Sequence, residues 1–205
     1  MSKFITRCIN KCNTNGIIHV GAHCLEEIEI YHEAGIYNII WIEADSIICE
    51  EMRKKYPLEI ILDFLVTDKC GDEKDFYISS NNGASSAIFP FGYHKTIYPK
   101  INMTSTIKLI TNTLDNVLKG FVVSDYNTLV MDVQGAELLV LKGAKSYLKT
   151  CKYIITEVST IPLYDGCVLR DELHNFINSI GFNKEYEKIH QEKGHGDAFY
   201  IRRKK

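Results

Sequence analysis

The chain has 205 residues, enough for one sizeable domain with a buried core, and its 45 % hydrophobic and 24 % charged residues are usual for globular proteins. A formal net charge of −2 provides no global field that would attract nucleic acid or an anionic membrane, so we predict neither as a partner. No signal-peptide pattern opens the chain, and no apolar run approaches the roughly 18 residues of a membrane span. We therefore expect a cytoplasmic protein.

The cysteines support an intracellular, reducing location. There are seven of them, an odd number, and no two are spaced as C-x-x-C. Cys8 and Cys12 lie four positions apart, but no histidine or cysteine set follows at the distances of a zinc site. The pattern favours free thiols rather than a disulfide framework.

Strand and helix patterns alternate along most of the chain. Predicted strands cover residues 17–20, 39–42, 60–66, 76–78, 106–110, a run ending at Met131, 153–156, 185–190 and 198–202. Predicted helices cover 25–34, a segment from Asp45 or Ser46 to just before Pro57, 114–118, a segment carrying Leu138 and Leu141, and 169–180. The alternation favours an α/β fold, with a mostly parallel sheet covered by helices on both faces and a C-terminal antiparallel hairpin.

No linker divides the sequence, so residues 1–205 are expected to form a single domain. Residues 1–14 precede the first strand and are treated as an N-terminal extension. Residues 79–105 form a polar stretch that is unusually long for a loop inside a compact domain. We predict that this stretch is a lid or binding loop on the acceptor side of an active site.

The most informative segment surrounds Asp132. An apolar run ends at this acid, a turn containing Gly135 follows, and a helix with Leu138 and Leu141 on one face comes next. This is the pattern of a strand, a turn and a helix. In an open α/β sheet the carboxyl end of a strand lies at the rim where ligands bind, so Asp132 is a candidate site residue.

Other predicted strands end in the same way. The acids that end strands or follow them closely are Glu43, Asp68, Asp132 and Glu157. If the strands are parallel, these four acids share one rim. An alternative role stays open for each, because an acid after a strand often caps the next helix, as Asp45 is expected to do.

The first strand ends differently, in Gly21, Ala22 and His23. A glycine there lets the backbone approach a ligand closely, next to the free N–H groups of a helix N-terminus. Glu43 follows Gly21 by 22 positions, close to the ~20-residue offset at which an acid after the second strand bonds ribose hydroxyls. The second and third glycines of G-x-G-x-x-G are missing, which argues against NAD or FAD. The sequence thus favours a nucleoside-containing ligand without a pyrophosphate.

At these residues the sequence resembles the FkbM-type methyltransferases, which depend on S-adenosylmethionine. The block around Asp132 is the most specific match, and the matching segments follow the family's order from about residue 15 to the end. They are residues 20–23, 41–44, 66–68 with Gly71, 82–86, 113–115, 131–144, 157–158 and 196–198. The resemblance implies a Rossmann-like class I methyltransferase fold with seven strands. It also implies O-methyl transfer to a small hydroxyl-bearing molecule, such as a sugar, glycan precursor or natural product.

The resemblance assigns roles position by position. Gly21, Ala22 and His23 would form the first cofactor loop, and His19 and Ala44 would lie against the cofactor beside them. Glu43 would bind the ribose hydroxyls and Asp68 would lie by the adenine edge. Asp132 would lie near the methionine end and the reacting methyl group.

Two positions depart from the family's pattern. The family often has Asp at the position of His19 and a small residue at the position of Leu25. These departures motivate an alternative in which the chain is a Rossmann-like binding domain that has lost catalysis. An RNA 2′-O-methyltransferase is a further alternative, but the chain shows no basic stripe for phosphates.

Methyl transfer to a poorly acidic hydroxyl benefits from a general base. The candidates are Asp132 and Glu157 at neighbouring strand ends, His94 in the long loop, and His195 in the late glycine-containing turn. Phe89, Phe91, Tyr93 and Tyr98 could wall an acceptor pocket, or could form a small hydrophobic cluster beneath the loop. Asp132 and Glu157 could also hold Mg²⁺, although we predict no required metal. The oligomeric state stays open, a homo-oligomer included.

Overall fold

The computed structural model describes residues 2–204, and this range contains ten strands and seven α-helices. The strands are β1 (Ile17–Val20), β2 (Ile39–Glu43), β3 (Ile60–Asp63), β4 (Leu65–Thr67), β5 (Glu73–Ser79), β6 (Met103–Thr113), β7 (Thr128–Met131), β8 (Tyr153–Ser159), β9 (Phe182–His190) and β10 (His195–Arg202). The helices are α1 (Ser2–Ile9), α2 (Ile28–Glu33), α3 (Ser46–Lys55), α4 (His94–Ile97), α5 (Leu114–Val117), α6 (Glu137–Lys142) and α7 (Arg170–Ser179). None of the described helices is long and apolar enough to cross a bilayer.

Seven strands form the main sheet, in the order β3-β2-β1-β7-β8-β10-β9. The first five pair in parallel, and β10 pairs antiparallel with both β8 and β9. This confirms the predicted mostly parallel sheet and its C-terminal hairpin. The strand order reverses between β1 and β7, and ligands of open α/β sheets bind in the crevice outside the strands at such a point.

Hydrophobic side chains fill the space on both faces of this sheet. On one face, Ile17, Trp41 and Val130 pack with apolar residues of α1, α2 and α3. On the other face, Ile18 and Leu129 pack with apolar residues of α5, α6 and α7. Both faces are therefore covered, which explains why the parallel strands read as continuous apolar runs rather than as alternating ones.

The first residues belong to the core rather than to a separate extension. Helix α1 buries Phe4, Ile5, Cys8 and Ile9 against the α2 side of the sheet. The ring of Phe4 also stacks on Tyr186 of β9, with 5.3 Å between the ring centroids. The prediction left residues 1–14 outside the elements because this helix is too short for its periodicity to stand out.

The predicted third strand, residues 60–66, is two strands in different sheets. After β3 the chain leaves the main sheet, and Leu65–Thr67 pairs in parallel with β6. β6 also pairs antiparallel with β5, so a second sheet has the order β4-β6-β5. Asp63 is the single polar residue in this apolar run, and one polar residue is common within a strand, so the sequence pattern did not locate the break.

The predicted loop at 79–105 is shorter than expected, since its ends belong to β5 and β6. The first helix of the parallel region is also shorter than predicted, because it begins at Ile28 and not at Leu25. Leu25 has a φ of 57° and His23 a φ of 41°, so the chain forms a loop before the helix starts. Helix α3 begins as predicted, with the Asp45 carboxylate accepting a hydrogen bond from the Ile47 N–H at 2.9 Å.

Candidate active site

A cavity of about 310 Å³ lies outside the carboxyl ends of β1, β2 and β7. This volume is at the lower end of the range for small-molecule pockets. Residues 83–88, which follow β5, form the wall opposite the strand ends. The predicted cofactor residues that line the cavity are His19, Gly21, His23, Glu43, Ala44 and Asp132.

Two predicted cofactor residues lie elsewhere. Leu65 and Val66 of β4 line the cavity, but Asp68 follows this strand in the second sheet, so the expectation that it shares the rim of one sheet with Glu43 and Asp132 is wrong. It is not among the described residues that line the cavity. Ala22 lies in the cofactor loop, but its side chain is buried in the core beneath the loop and does not face the cavity.

The loops after β1 and β7 come into close backbone contact at Gly21. Its φ is +78°, and a Cβ atom at this position would lie 1.9 Å from the Asp132 carbonyl oxygen. Its N–H donates to the Ile42 carbonyl at 2.9 Å. Only glycine fits a backbone that has this φ and lies this close to a neighbour, so Gly21 brings the three strand ends together at the cavity.

Glu43 is held by backbone N–H groups on both carboxylate oxygens. Oε2 accepts from the His23 N–H at 2.9 Å, and Oε1 accepts from the N–H groups of Ala44 at 2.7 Å and Asp45 at 3.0 Å. Burial raises the pKa of this carboxyl, although the three hydrogen bonds oppose that shift. A carboxylate has about four lone-pair positions, so one can still accept from a ligand hydroxyl.

His23 connects the loop after β1 to the wall of the cavity. Its Nδ1 lies 2.6 Å from Glu26 Oε1, and its Nε2 lies 2.8 Å from the Asn82 carbonyl oxygen. The hydrogen bond to Glu26 raises the pKa of His23 to about 9, so the ring is protonated at neutral pH and donates to both oxygens. His23, Cys24 and Glu26 also bring metal-binding atoms within 4.8 Å of one another, but both ring nitrogens of His23 are engaged in these bonds.

Asp132 begins a turn that is held by hydrogen bonds from its own side chains. Its Oδ1 accepts from the Gln134 side-chain amide at 2.6 Å, and Gln134 also bonds the hydroxyl of Tyr164. The Glu137 carboxylate accepts from the N–H groups of Val133 and Gly135, at 3.2 Å each. Burial, and then the nearby Glu157 carboxyl, raise the pKa of Asp132 well above its ordinary value. A positive charge bound at this place would offset both effects.

Glu157 and His195 form a second group beside this turn. Met131 pairs with Thr156 across β7 and β8, so Asp132, just past the end of β7, is level with Glu157. The prediction that Glu157 ends its strand is wrong, because β8 continues to Ser159 where it pairs with β10. The Glu157 Oε1 lies 2.9 Å from His195 Nδ1, and His195 Nε2 lies 2.9 Å from the Tyr98 hydroxyl. Neither Glu157 nor His195 is among the described residues that line the 310 Å³ cavity.

His94 lies in an aromatic cluster. Its ring stacks on Phe91 with 4.0 Å between centroids and packs near Tyr98 and Tyr164. Its Nε2 lies 3.2 Å from the Ser85 hydroxyl, and burial lowers its pKa to about 4. Of the aromatic residues predicted for the acceptor pocket, Phe89 and Phe91 pack in this cluster, whereas Tyr93 is 57 % exposed.

Several residues of the site were not predicted from the sequence. Glu26 and Glu27 line the cavity from the loop before α2, and Gln134 lines it from the Asp132 turn. The adjacent acids at 26 and 27 are a visible signal, but the helix predicted from Leu25 placed them on a helix surface. Tyr98 was predicted only as a possible wall of the acceptor pocket; its hydrogen bond to His195 joins residues 97 positions apart, which no local pattern reveals.

The model of the methyltransferase FkbM domain matches residues 18–184. The chain belongs to the FkbM methyltransferase family. This FkbM protein is therefore an S-adenosylmethionine-dependent methyltransferase, as its sequence predicts. No curated protein matches the sequence closely enough to count as a relative.

Solved structures similar to this FkbM methyltransferase share its fold at low sequence identity. Magnesium protoporphyrin IX methyltransferase from Synechocystis PCC 6803, with bound SAM, is 8 % identical with a TM-score of 0.55, covering 98 % of this chain and 78 % of its own. A TehB-like SAM-dependent methyltransferase from Corynebacterium glutamicum is 9 % identical with a TM-score of 0.51, covering 97 % and 86 %. TrmK from M. capricolum, bound to S-adenosyl-homocysteine, is 11 % identical with a TM-score of 0.55, covering 98 % and 69 %.

The cavity of this FkbM methyltransferase fits the cofactor of its family. The Gly21 loop lets a ligand approach the backbone closely, and Glu43 has an acceptor position left for a ribose hydroxyl. Burial and the neighbouring carboxyls raise the pKa of Asp132, so positive charge nearby is favourable, and S-adenosylmethionine carries positive charge at its methionine end. Gly21, Glu43 and Asp132 all line the cavity and could hold the cofactor there.

Proposed function

We propose that the protein is an O-methyltransferase that acts on a hydroxyl group of a small molecule, such as a sugar or a glycan precursor. The observation that carries this proposal is the chain of hydrogen bonds from Tyr98 through His195 to Glu157, which lies in β8 beside the turn that begins at Asp132. It supplies a histidine base, which a hydroxyl acceptor benefits from. The family and the fold support methyl transfer, and the acceptor is the proposed part.

His195 is in the right protonation state for this role. Burial, and then the charge of Lys193, lower its pKa, so the ring is neutral at neutral pH. With the proton on Nδ1, His195 donates to Glu157, and Nε2 accepts from the Tyr98 hydroxyl. An acceptor hydroxyl would have to replace the Tyr98 hydroxyl at Nε2, and Nε2 would then take its proton while Glu157 orients the ring and stabilises its protonated form.

Bound S-adenosylmethionine would supply the methyl group as a sulfonium substituent. The chain's own residues would orient the acceptor oxygen about 3 Å from that methyl carbon and accept its proton. Asp132 lines the cavity and is a second candidate base, since its raised pKa gives its carboxylate greater basicity. The aromatic cluster with Phe91 and His94 lies on the same side as Tyr98, where sugar rings and apolar rings pack well.

The test measures transfer from labelled S-adenosylmethionine to a panel of free sugars, sugar nucleotides and hydroxylated natural products. We expect a methyl ether product with at least one of these acceptors. On that acceptor, His195→Asn should lower kcat by about 10²–10⁴-fold and leave cofactor affinity unchanged. His190→Asn is the matched control, because His190 pairs with His195 across β9 and β10 and its ring lies 6.3 Å away.

The alternatives predict different results. Cofactor binding without turnover on any acceptor would favour a binding domain that has lost catalysis. Transfer to RNA, with a salt-sensitive gel shift, would favour the RNA methyltransferase. Full activity of His195→Asn would remove His195 as the base, and the same measurement on Asp132→Asn would then decide whether Asp132 has that role.

A further inference from the structure

The carboxylates that line the cavity differ in the hydrogen bonds and ion pairs that already stabilise their negative charge. Glu43 accepts three backbone N–H groups, Glu26 pairs with the protonated ring of His23, and Asp132 accepts from Gln134. Glu27 also lines the cavity and is only 7 % exposed. Among the described residues, no other side chain donates a hydrogen bond to its carboxylate or forms an ion pair with it.

The surroundings of Glu27 make this burial unfavourable for an ionised carboxylate. Desolvation, and then the charge of Glu26, raise the pKa of Glu27 to about 7. Buried carboxylates are normally paired. A cationic group of a ligand in the cavity would pair with the Glu27 carboxylate and stabilise its ionised form.

His19 cannot supply a negative charge at the same end of β1. Its side chain is buried and lines the cavity. Its Nδ1 lies 3.3 Å from the Tyr31 hydroxyl, and burial lowers its pKa to about 4, so the ring is neutral. The acid at this end of the cavity therefore comes from the loop before α2 and not from the strand.

We infer that Glu27 binds the α-ammonium group of the methionine part of S-adenosylmethionine. The cofactor carries two positive groups near its methionine end, the sulfonium and the ammonium. The sulfonium loses its charge during transfer, so a carboxylate held tightly against it would stabilise the ground state and slow the reaction. The ammonium keeps its charge in substrate and product, so a carboxylate can bind it at no cost to the rate.

This role separates binding from turnover. Because the ammonium is charged in both the ground state and the transition state, Glu27 contributes uniform binding. Glu27→Gln should therefore raise the KM for S-adenosylmethionine and leave kcat within about threefold of wild type. A residue with a merely structural role would not produce this split together with the ligand selectivity described below.

The decisive experiment is calorimetry at pH 8 with two ligands. S-adenosylhomocysteine carries the ammonium group, whereas 5′-methylthioadenosine has the same adenosine and sulfur but lacks the amino acid end. We expect Glu27→Gln to weaken S-adenosylhomocysteine binding by about 10–100-fold, the range for a hydrogen bond to a charged group, and to change methylthioadenosine binding by less than threefold. Glu27→Asp should retain part of the affinity.

Glu29→Gln is the matched control, since Glu29 is an exposed acid in the first turn of α2, two positions after Glu27. It should bind both ligands like wild type, and thermal unfolding should show that all variants are folded. Unchanged binding of S-adenosylhomocysteine to Glu27→Gln would overturn the inference, as would equal weakening of both ligands. If the wild type does not bind S-adenosylhomocysteine, the chain does not bind the methionine end of the cofactor and the inference about Glu27 is wrong, whichever acceptor is methylated.

Discussion

Gly21 shows how one residue positions the cavity. Its backbone lies against the carbonyl of Asp132, in a conformation that residues with a Cβ atom rarely adopt. Gly35, after α2, has nearly the same φ of +76°, but no atom lies within 4 Å of where its Cβ would be. Comparing substitutions at the two glycines therefore separates the free-energy cost of a positive φ from the cost of a steric clash with the Asp132 carbonyl.

We expect Gly35→Ala to lower the free energy of unfolding by about 1–2 kcal/mol, the cost of a left-handed backbone for a residue with Cβ. Gly21→Ala should cost clearly more, because a Cβ atom 1.9 Å from a carbonyl oxygen forces the two loops apart. It should also weaken cofactor binding, whereas Gly35→Ala should not. Chemical denaturation and calorimetry of both variants check this, and equal costs would contradict the steric argument.

His23 predicts a dependence of stability on pH. Its pKa is raised from 6.5 to about 9 by its hydrogen bond to Glu26, so folding favours the protonated ring. The stabilisation is complete below pH 6.5 and is lost as the pH rises through 9. We expect the difference in unfolding free energy between wild type and His23→Gln to fall between pH 6.5 and pH 10.

Denaturant titrations of both proteins across that range test this, because groups shared by the two proteins cancel in the difference. In Glu26→Gln the partner is lost, so the pH at which the His23 contribution disappears should move down towards its ordinary value. A difference that stays constant from pH 6 to pH 10 would show that His23 is not protonated preferentially in the folded state.

Among the secondary structure elements, α1 differs most from its prediction. The sequence places residues 1–14 before the first strand, and the structure places a helix there with one side buried against β9 and the central sheet. Ile5 is 0 % exposed and Lys3 is exposed on the same helix. Ile5→Ala should therefore destabilise the protein by about 2–5 kcal/mol.

Lys3→Ala should leave the unfolding free energy within about 0.5 kcal/mol of wild type. Thermal or chemical unfolding of the two variants makes the comparison. If both variants unfold like wild type, α1 does not contribute to the core, and the first residues are the dispensable extension that the sequence suggests.

The predicted strands show which strand positions the sequence reveals and which it does not. Apolar runs located β1, β2, β7 and β8, because buried parallel strands are continuous in hydrophobicity. The break between β3 and β4 was missed because Asp63 alone interrupts the apolar run there, and one polar residue is common within a strand. Asp68 was consequently assigned to the main sheet, whereas its strand belongs to the second sheet.

For the molecule as a whole, ligand binding should stabilise the fold through the cavity between the two halves of the main sheet. S-adenosylhomocysteine at 100 times its Kd should add about 2.7 kcal/mol to the free energy of unfolding. For a chain of this size we expect Tm to rise by about 5–10 °C. NAD shares the adenosine but needs a pyrophosphate site, which the loop at Gly21 lacks, so it should produce no comparable shift.

A fluorescence thermal scan with each ligand measures this prediction. The two ligands are compared at equal concentration, with adenosine as a further control for binding by the nucleoside alone. A rise in Tm with NAD as large as that with S-adenosylhomocysteine would contradict the reading of the Gly21 loop.

The fold class and most of the cavity's strand-end residues follow from the order of residues along the chain, and the cofactor follows from the family resemblance that those residues carry. Hydrophobic runs, turn glycines and the acids next to them are local features, and in a parallel sheet local strand ends share one edge. The contacts on which the proposed chemistry depends join distant positions: His195 with Tyr98 and Glu157, and His23 with Asn82. Their burial and protonation depend on neighbours brought together by packing, so only the folded chain establishes them.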